Sequence, residues 1–258
     1  MRLHVEQAGA GPDLVLLHGW GMNAGVWQPV LDRLAVRHRV TVLELPGHGA
    51  SGFDPARRTL RDWAEACLEV APGRAVWLGW SLGAQVALEA ALMSPERVQA
   101  LVAVTGTPRF VQDADWPHAM PAATFHQFAD SLAFDHAVTL DRFLGLQVRG
   151  GEEARETLRA LRAAVRARPA PEVDALRAGL DLLLGSDQRA RLPALVPPSL
   201  WLFGERDTLV PAETAHAVEE ILPRAEILIL HGAAHAPFLS SPARFLELLR
   251  SFVDALPR

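Results

Sequence analysis

The stretch Ala75-Val-Trp-Leu-Gly79-Trp80-Ser81-Leu82-Gly83-Ala-Gln-Val-Ala-Leu88 runs an apolar segment of strand length straight into one of helical spacing, with a serine at the join. That junction constrains the fold more than any other feature of the chain. A G-x-S-x-G between strand and helix needs a sharp turn that holds the serine in a strained conformation with its Oγ exposed, while the glycines let strand and helix approach. The helix that begins there also aims backbone N–H groups at negative charge developing beside the serine.

A serine hydroxyl is a poor nucleophile until a base takes its proton, so a histidine and an orienting acid are expected elsewhere. Of the ten histidines, His235 follows the last strand-like run, in His231-Gly-Ala-Ala-His235-Ala-Pro-Phe, just ahead of the C-terminal helical stretch. His231 is its nearest rival, closer to the strand end and expected as a partly buried loop residue. Ser199-Leu-Trp-Leu-Phe-Gly-Glu205-Arg-Asp207 reads as a strand and a polar turn, which delivers Asp207 as the acid, with Glu205 as competitor. Leu14-Val-Leu-Leu-His18-Gly-Trp20-Gly is a strand ending in a glycine turn, and the backbone N–H groups of Trp20 and Leu82 are expected to hold an oxyanion. No metal is expected: His18, His231 and His235 lack a helix-borne ligand pair. Pro46-Gly-His48-Gly-Ala-Ser51-Gly reads as a tight loop.

Strand-like runs recur at Leu14–Leu17, Val40–Leu45, Ala75–Trp80, Ala100–Thr105, Ser199–Phe203 and Ala225–Leu230. Helical spacing fills Val26–Leu34, Leu60–Val70, Leu82–Met93, Ala212–Leu222 and Pro242–Leu256. Strands alternating with helices predict a mostly parallel sheet flanked by helices. The alternation fails from about 107 to 190, where only helix and loop are legible. The expected division is a core of 1–106 and 191–258 with a helical cap, 107–190, inserted into it.

Composition narrows the chemistry further. There is no lysine, so all 25 basic side chains are arginine, which excludes Schiff-base, pyridoxal-phosphate and P-loop chemistry. The single cysteine, Cys67, excludes an intrachain disulfide and a cysteine zinc cluster and is expected as a small buried hydrophobe. A net charge of -5 argues against a nucleic-acid surface. The N-terminal residues lack a signal-peptide pattern and no run is long enough to span a membrane, so a cytoplasmic protein is expected.

The order Ser81, Asp207, His235, each after a strand, resembles the α/β-hydrolase superfamily over essentially the whole chain. More narrowly, the sequence is similar to the biotin-pathway carboxylesterases that demethylate pimeloyl-[acyl-carrier protein] methyl ester. Leu-Leu-His18-Gly-Trp20-Gly-Met-Asn, Leu-Gly-Trp80-Ser81-Leu-Gly, Arg142-Phe-Leu-Gly-Leu-Gln147 and Ala233-Ala-His235-Ala-Pro-Phe carry that likeness. The resemblance implies a serine carboxylesterase needing no cofactor, with Trp20, Ser81, Leu82, Phe143, Leu144, Gly145, Leu146, Gln147 and His235 around the substrate. It also implies Arg142, Arg155 and Arg159 as contacts for an acyl-carrier protein, whereas a further family arginine is Val138 here. A generic short-chain esterase and a noncatalytic hydrolase-fold binding protein remain the alternatives.

Residues 142–168 hold seven arginines against Glu152, Glu153 and Glu156. At about 100° per residue, Arg155, Arg159, Arg162 and Arg166 share one narrow helical stripe, with Leu158, Leu161 and Val165 expected to pack the helix down. Guanidinium groups suit an acidic carrier and its phosphopantetheine; the bland alternative is a solvated face paired to Glu152 and Glu156. The expected working state is a monomer.

Overall fold

The computed structural model describes residues 1–256. The apolar runs become strands β1 (Val5–Ala8), β2 (Asp13–Leu17), β3 (Arg39–Leu43), β4 (Ala75–Trp80), β5 (Val98–Val104), β6 (Ser199–Gly204) and β7 (Glu226–Leu230). They form one sheet in the order β1-β3-β2-β4-β5-β6-β7. β1 pairs antiparallel with β3 and every other pairing is parallel. Every residue of β4 and of β6 is buried, as a parallel sheet covered on both faces requires.

The helices are α1 (Gln28–Ala35), α2 (Leu60–Val70), α3 (Leu82–Met93), α4 (Ala122–Phe134), α5 (His136–Val148), α6 (Ala154–Arg166), α7 (Val173–Gly185), α8 (Thr214–Ile221), α9 (Pro237–Ser240) and α10 (Pro242–Asp254). α1 packs with α10, and α2 packs with α3. A capping box starts α2: the Thr59 hydroxyl accepts from Asp62 N–H, and the Asp62 carboxylate accepts from Thr59 N–H. α3 is buried nearly all round, from Leu82 to Ala91, as a helix enclosed by the core must be. Cys67 is wholly buried on α2, and desolvation pushes its thiol up to about 12.

Three expectations shift. β1 has no counterpart in the sequence reading, because a four-residue, half-buried edge strand shows no apolar run. The Val26–Leu34 segment splits into a 3-10 turn, Ala24–Trp27, and α1, with Pro29 in the first turn of the helix. The single turn α9 stands apart from α10 just after His235. Between β5 and β6 the chain makes α4 to α7, then a 3-10 segment, Arg189–Ala194, that returns it to the sheet.

The strand order reverses direction at β2: the chain moves outward to β3, then crosses back to β4 on the other side. Such a switch leaves a crevice at the carboxyl ends of β2 and β4. His18 begins the loop after β2 and Ser81 the turn after β4, so the topology brings them together.

Candidate active site

Ser81 adopts φ 56° and ψ -118°, a strained conformation for a residue with a Cβ. Its flanking glycines have another task. A Cβ on Gly79 would lie 2.2 Å from the Gly83 carbonyl oxygen, and one on Gly83 would lie 2.5 Å from the carbonyl oxygens of Leu17 and His18. Only bare backbone lets β4, α3 and the β2 loop converge. As first residue of α3, Leu82 has a backbone N–H with no acceptor inside the helix.

The β2 loop closes with Met22 N–H donating to the Gly19 carbonyl at 3.2 Å, and Gly21 takes φ +69°. A Cβ on Gly19 would come within 3.3 Å of Ser81 Cβ, so this turn lies directly over Ser81. Two buried histidines brace it. His18 donates from Nδ1 to the Gly19 carbonyl and accepts the Leu45 N–H at Nε2; His48 donates to the Pro46 carbonyl and accepts the Gly21 N–H. Burial holds both rings neutral, His18 near about 3, helped by repulsion from His48, and His48 near about 4. The glycine-rich loop around His48, read from sequence as a mere turn, therefore supports the turn over Ser81.

Asp207 Oδ2 lies 2.7 Å from His235 Nδ1, and both side chains are buried. Asp207 Oδ1 accepts the N–H groups of Leu209 at 2.8 Å and Val210 at 3.1 Å, which fixes the carboxylate. Because the Asp207 carboxylate accepts, Nδ1 carries the ring proton and Nε2 is left with its lone pair free; Nε2 is buried and has no hydrogen-bond partner. The backbone of His235 is pinned as well. Its N–H donates to the Gln147 carbonyl at 3.0 Å, and its carbonyl accepts Trp80 Nε1–H at 2.7 Å and the Thr105 hydroxyl at 2.8 Å. Sequence reasoning missed both anchors, which lie 155 and 130 residues away with no local signal.

The two rivals pair with each other elsewhere. Glu205 accepts from the Gly232 N–H and faces His231 Nδ1 at 3.0 Å, which holds its carboxyl below the usual range. His231 is a correction: its side chain is 89% exposed, not partly buried. The His231 ring therefore stands in solvent, away from the buried Asp207–His235 pair.

Helices α4, α5 and α7 meet this arrangement through Trp20. Its indole N–H donates to the Leu176 carbonyl of α7 at 2.8 Å, and its ring meets Phe143 and Phe128 edge-on at 4.9 and 5.4 Å. A Cβ on Gly179 would strike the indole at 2.7 Å. Phe128, Leu176 and Gly179 were not foreseen, since nothing in a helical stretch marks which face meets a distant tryptophan. Of the five consecutive cap residues implied around substrate, Phe143, Leu144 and Gln147 are buried, whereas Gly145 and Leu146 are half-buried. A Cβ on Gly145 would meet nothing within 4 Å, so that position faces away from Trp20.

On α6, Arg155, Arg159 and Arg166 are exposed, while Arg162 is held in a two-pronged pair by Asp141 at 2.7 and 2.8 Å. Leu161 is wholly buried and Leu158 and Val165, half-buried, pack against the core, so the expected face holds the helix down, with Thr157 buried beside it. Of the expected acid partners, Glu152 pairs instead with Arg206 at 3.1 Å, and Glu156 reaches Arg159 only at 3.9 Å. Arg142 is exposed on α5, as is Val138. Among the described residues no cluster of three or more metal-ligating side chains occurs, and no helix is long and apolar enough to cross a membrane.

The chain belongs to the alpha/beta hydrolase family, whose sequence profile matches residues 14–248. It is 45% identical over 255 residues to the pimeloyl-[acyl-carrier protein] methyl ester esterase of Xanthomonas campestris pv. campestris (strain B100), covering 99% of this chain and 100% of that one. A protein of the same name from Nitrosomonas europaea is 45% identical over 245 residues, covering 95% and 97%. Among solved structures, the esterase EaEST from Exiguobacterium antarcticum superposes with TM-score 0.88 at 21% identity, covering 98% of this chain and 96% of that one; it shares the fold.

Proposed function

We propose that this chain is a serine carboxylesterase that hydrolyses the methyl ester of pimeloyl-[acyl-carrier protein], releasing pimeloyl-[acyl-carrier protein] and methanol in biotin biosynthesis. The full-length identity to relatives of that name carries the reading. In this reading Ser81 is the nucleophile, His235 the base and Asp207 its orienting acid, and residues 107–190 form the cap. His235 Nε2 takes the Ser81 proton as Oγ attacks the ester carbonyl, and the N–H groups of Trp20 and Leu82 receive the oxyanion. Collapse breaks the bond to methoxide, which leaves as methanol with the proton from His235. Water then attacks the acyl-serine, its proton going to His235 and on to Ser81. Trp20, Leu82, Phe143, Leu144 and Leu146 border the acyl chain, and Asp207 stabilises the imidazolium formed twice in each cycle.

The carrier docks on Arg142, Arg155 and Arg159. Support comes from the exposure of all three and from the weak acid pairing around Arg159. In this reading the enzyme works in the cytoplasm as a monomer. The deciding experiment is methanol release from the carrier-bound ester beside a short free methyl ester, with wild type and an Arg155→Glu/Arg159→Glu variant. We expect the double reversal to cut kcat/KM at least about tenfold on the carrier substrate, as losing over 1.4 kcal/mol of docking energy requires, and to leave the free ester untouched. Equal rates on both substrates for both proteins would leave a generic esterase.

A further inference from the structure

Behind His235 lies a cavity of about 10 Å³ whose lining includes Gln147 of α5, Thr157 of α6 and Ser240 of α9. Ala234 and Ala236, the chain neighbours of His235, also border it. The side-chain oxygen and nitrogen of Gln147 and the hydroxyls of Thr157 and Ser240 are all buried, and none has a hydrogen-bond partner in the protein. Gln147 is 1% exposed and Thr157 4%. Orphaned polar groups at such depth are costly, and native proteins satisfy nearly all of them. Three such side chains from three helices around one small space call for a shared partner. The room matches about one water, which needs two to four polar neighbours, and a hydroxyl or amide can turn to donate or accept.

We infer that this cavity binds a single ordered water that bridges Gln147, Thr157 and Ser240, and that the bridge positions His235. The link to the base is direct. The Gln147 carbonyl accepts the His235 N–H, and Glu152 N–H donates to the Gly232 carbonyl at 3.0 Å, so the α5–α6 corner is stitched to the histidine loop by backbone bonds on either side of the cavity. α9 begins two residues after His235, and its Ser240 closes the cavity from the other side. Gln147 is thus a positioning residue whose amide faces the water site, not a wall of the acyl pocket. The inference rests on His235 being the base of the proposed esterase.

The test pairs a crystal structure of the wild-type enzyme with kinetics of Thr157→Val and Thr157→Ser on a short free methyl ester. Valine keeps the shape and removes the hydroxyl, whereas serine keeps the hydroxyl. Ordered density bonded to the three side chains is expected. Thr157→Val should lose about tenfold in kcat at unchanged KM, the scale of a slightly misplaced base, and Thr157→Ser should recover it. A dry cavity, or wild-type kcat in Thr157→Val, overturns the inference while leaving the esterase standing. So does a Gln147→Leu variant that raises KM for the pimeloyl substrate at unchanged kcat, since that would put the amide on the acyl chain. Wild-type protein inert toward every methyl ester would instead sink the functional reading itself.

Discussion

His235 is held at three backbone or ring positions before it touches a substrate, and each hold predicts a different phenotype. Asp207→Asn keeps the shape of the partner but offers an N–H where Nδ1–H now donates, which favours the wrong tautomer. We expect kcat to fall by about 10³–10⁴-fold with little change in melting temperature, read from steady-state hydrolysis and a thermal melt. Ser81→Ala should abolish turnover and leave the melt intact. The residues that carry these effects were legible because chemistry-bearing side chains in this topology fall just past strand ends. Trp80 and Thr105 were not legible as anchors: their partner is a carbonyl remote in sequence, and a buried tryptophan next to a nucleophile reads first as core. For His231, a surface pair with Glu205 replaces the half-buried loop residue expected.

At the scale of elements, the loops after β2 and β3 form one unit through His18 and His48, and that unit is acid-sensitive. Both rings stay neutral in the folded protein, near about 3 and about 4, against 6.5 when free. Below pH 6.5 the unfolded chain takes up protons that the folded chain refuses, so stability is full above that value and falls as pH drops toward 4. Each histidine should contribute a slope of about 1.4 kcal/mol per pH unit in that window. Calorimetric melts between pH 7 and 4.5 should show this decline, and His48→Asn should flatten it. Six of the seven strands and the core helices were visible as apolar runs and helical spacing. β1 escaped because it is short and only half-buried, and α4 to α7 ran together because apolar periodicity alone does not register a cap such as Asp135, whose side chain accepts the Val138 N–H to start α5.

For the whole molecule, the chain must return from α7 to the sheet, and it does so over α3. Glu89 on that helix is buried and accepts from Arg191 at 2.7 and 2.9 Å and from Gln188 Nε2 at 3.1 Å, both in the segment that leads out of the cap. Arg191→Met would strand that carboxylate. Because about half of the arginine is solvated and Gln188 still donates, we expect a loss of about 1–3 kcal/mol, below the cost of breaking a fully buried pair. That corresponds to a melting temperature lower by about 3–10 °C. A pairing between residues a hundred positions apart leaves no local trace in sequence, which is why this fastening was not legible there.

The bond between the His235 N–H and the Gln147 carbonyl sets the traffic rules for this enzyme. A lid that swung α5 outward to admit an ester would unseat the base in the same motion, so an open gate and a working site exclude each other. On the other side, α4 and α7 meet Trp20 through Phe128 and the Leu176–Gly179 edge, and a shift there would leave that bond in place.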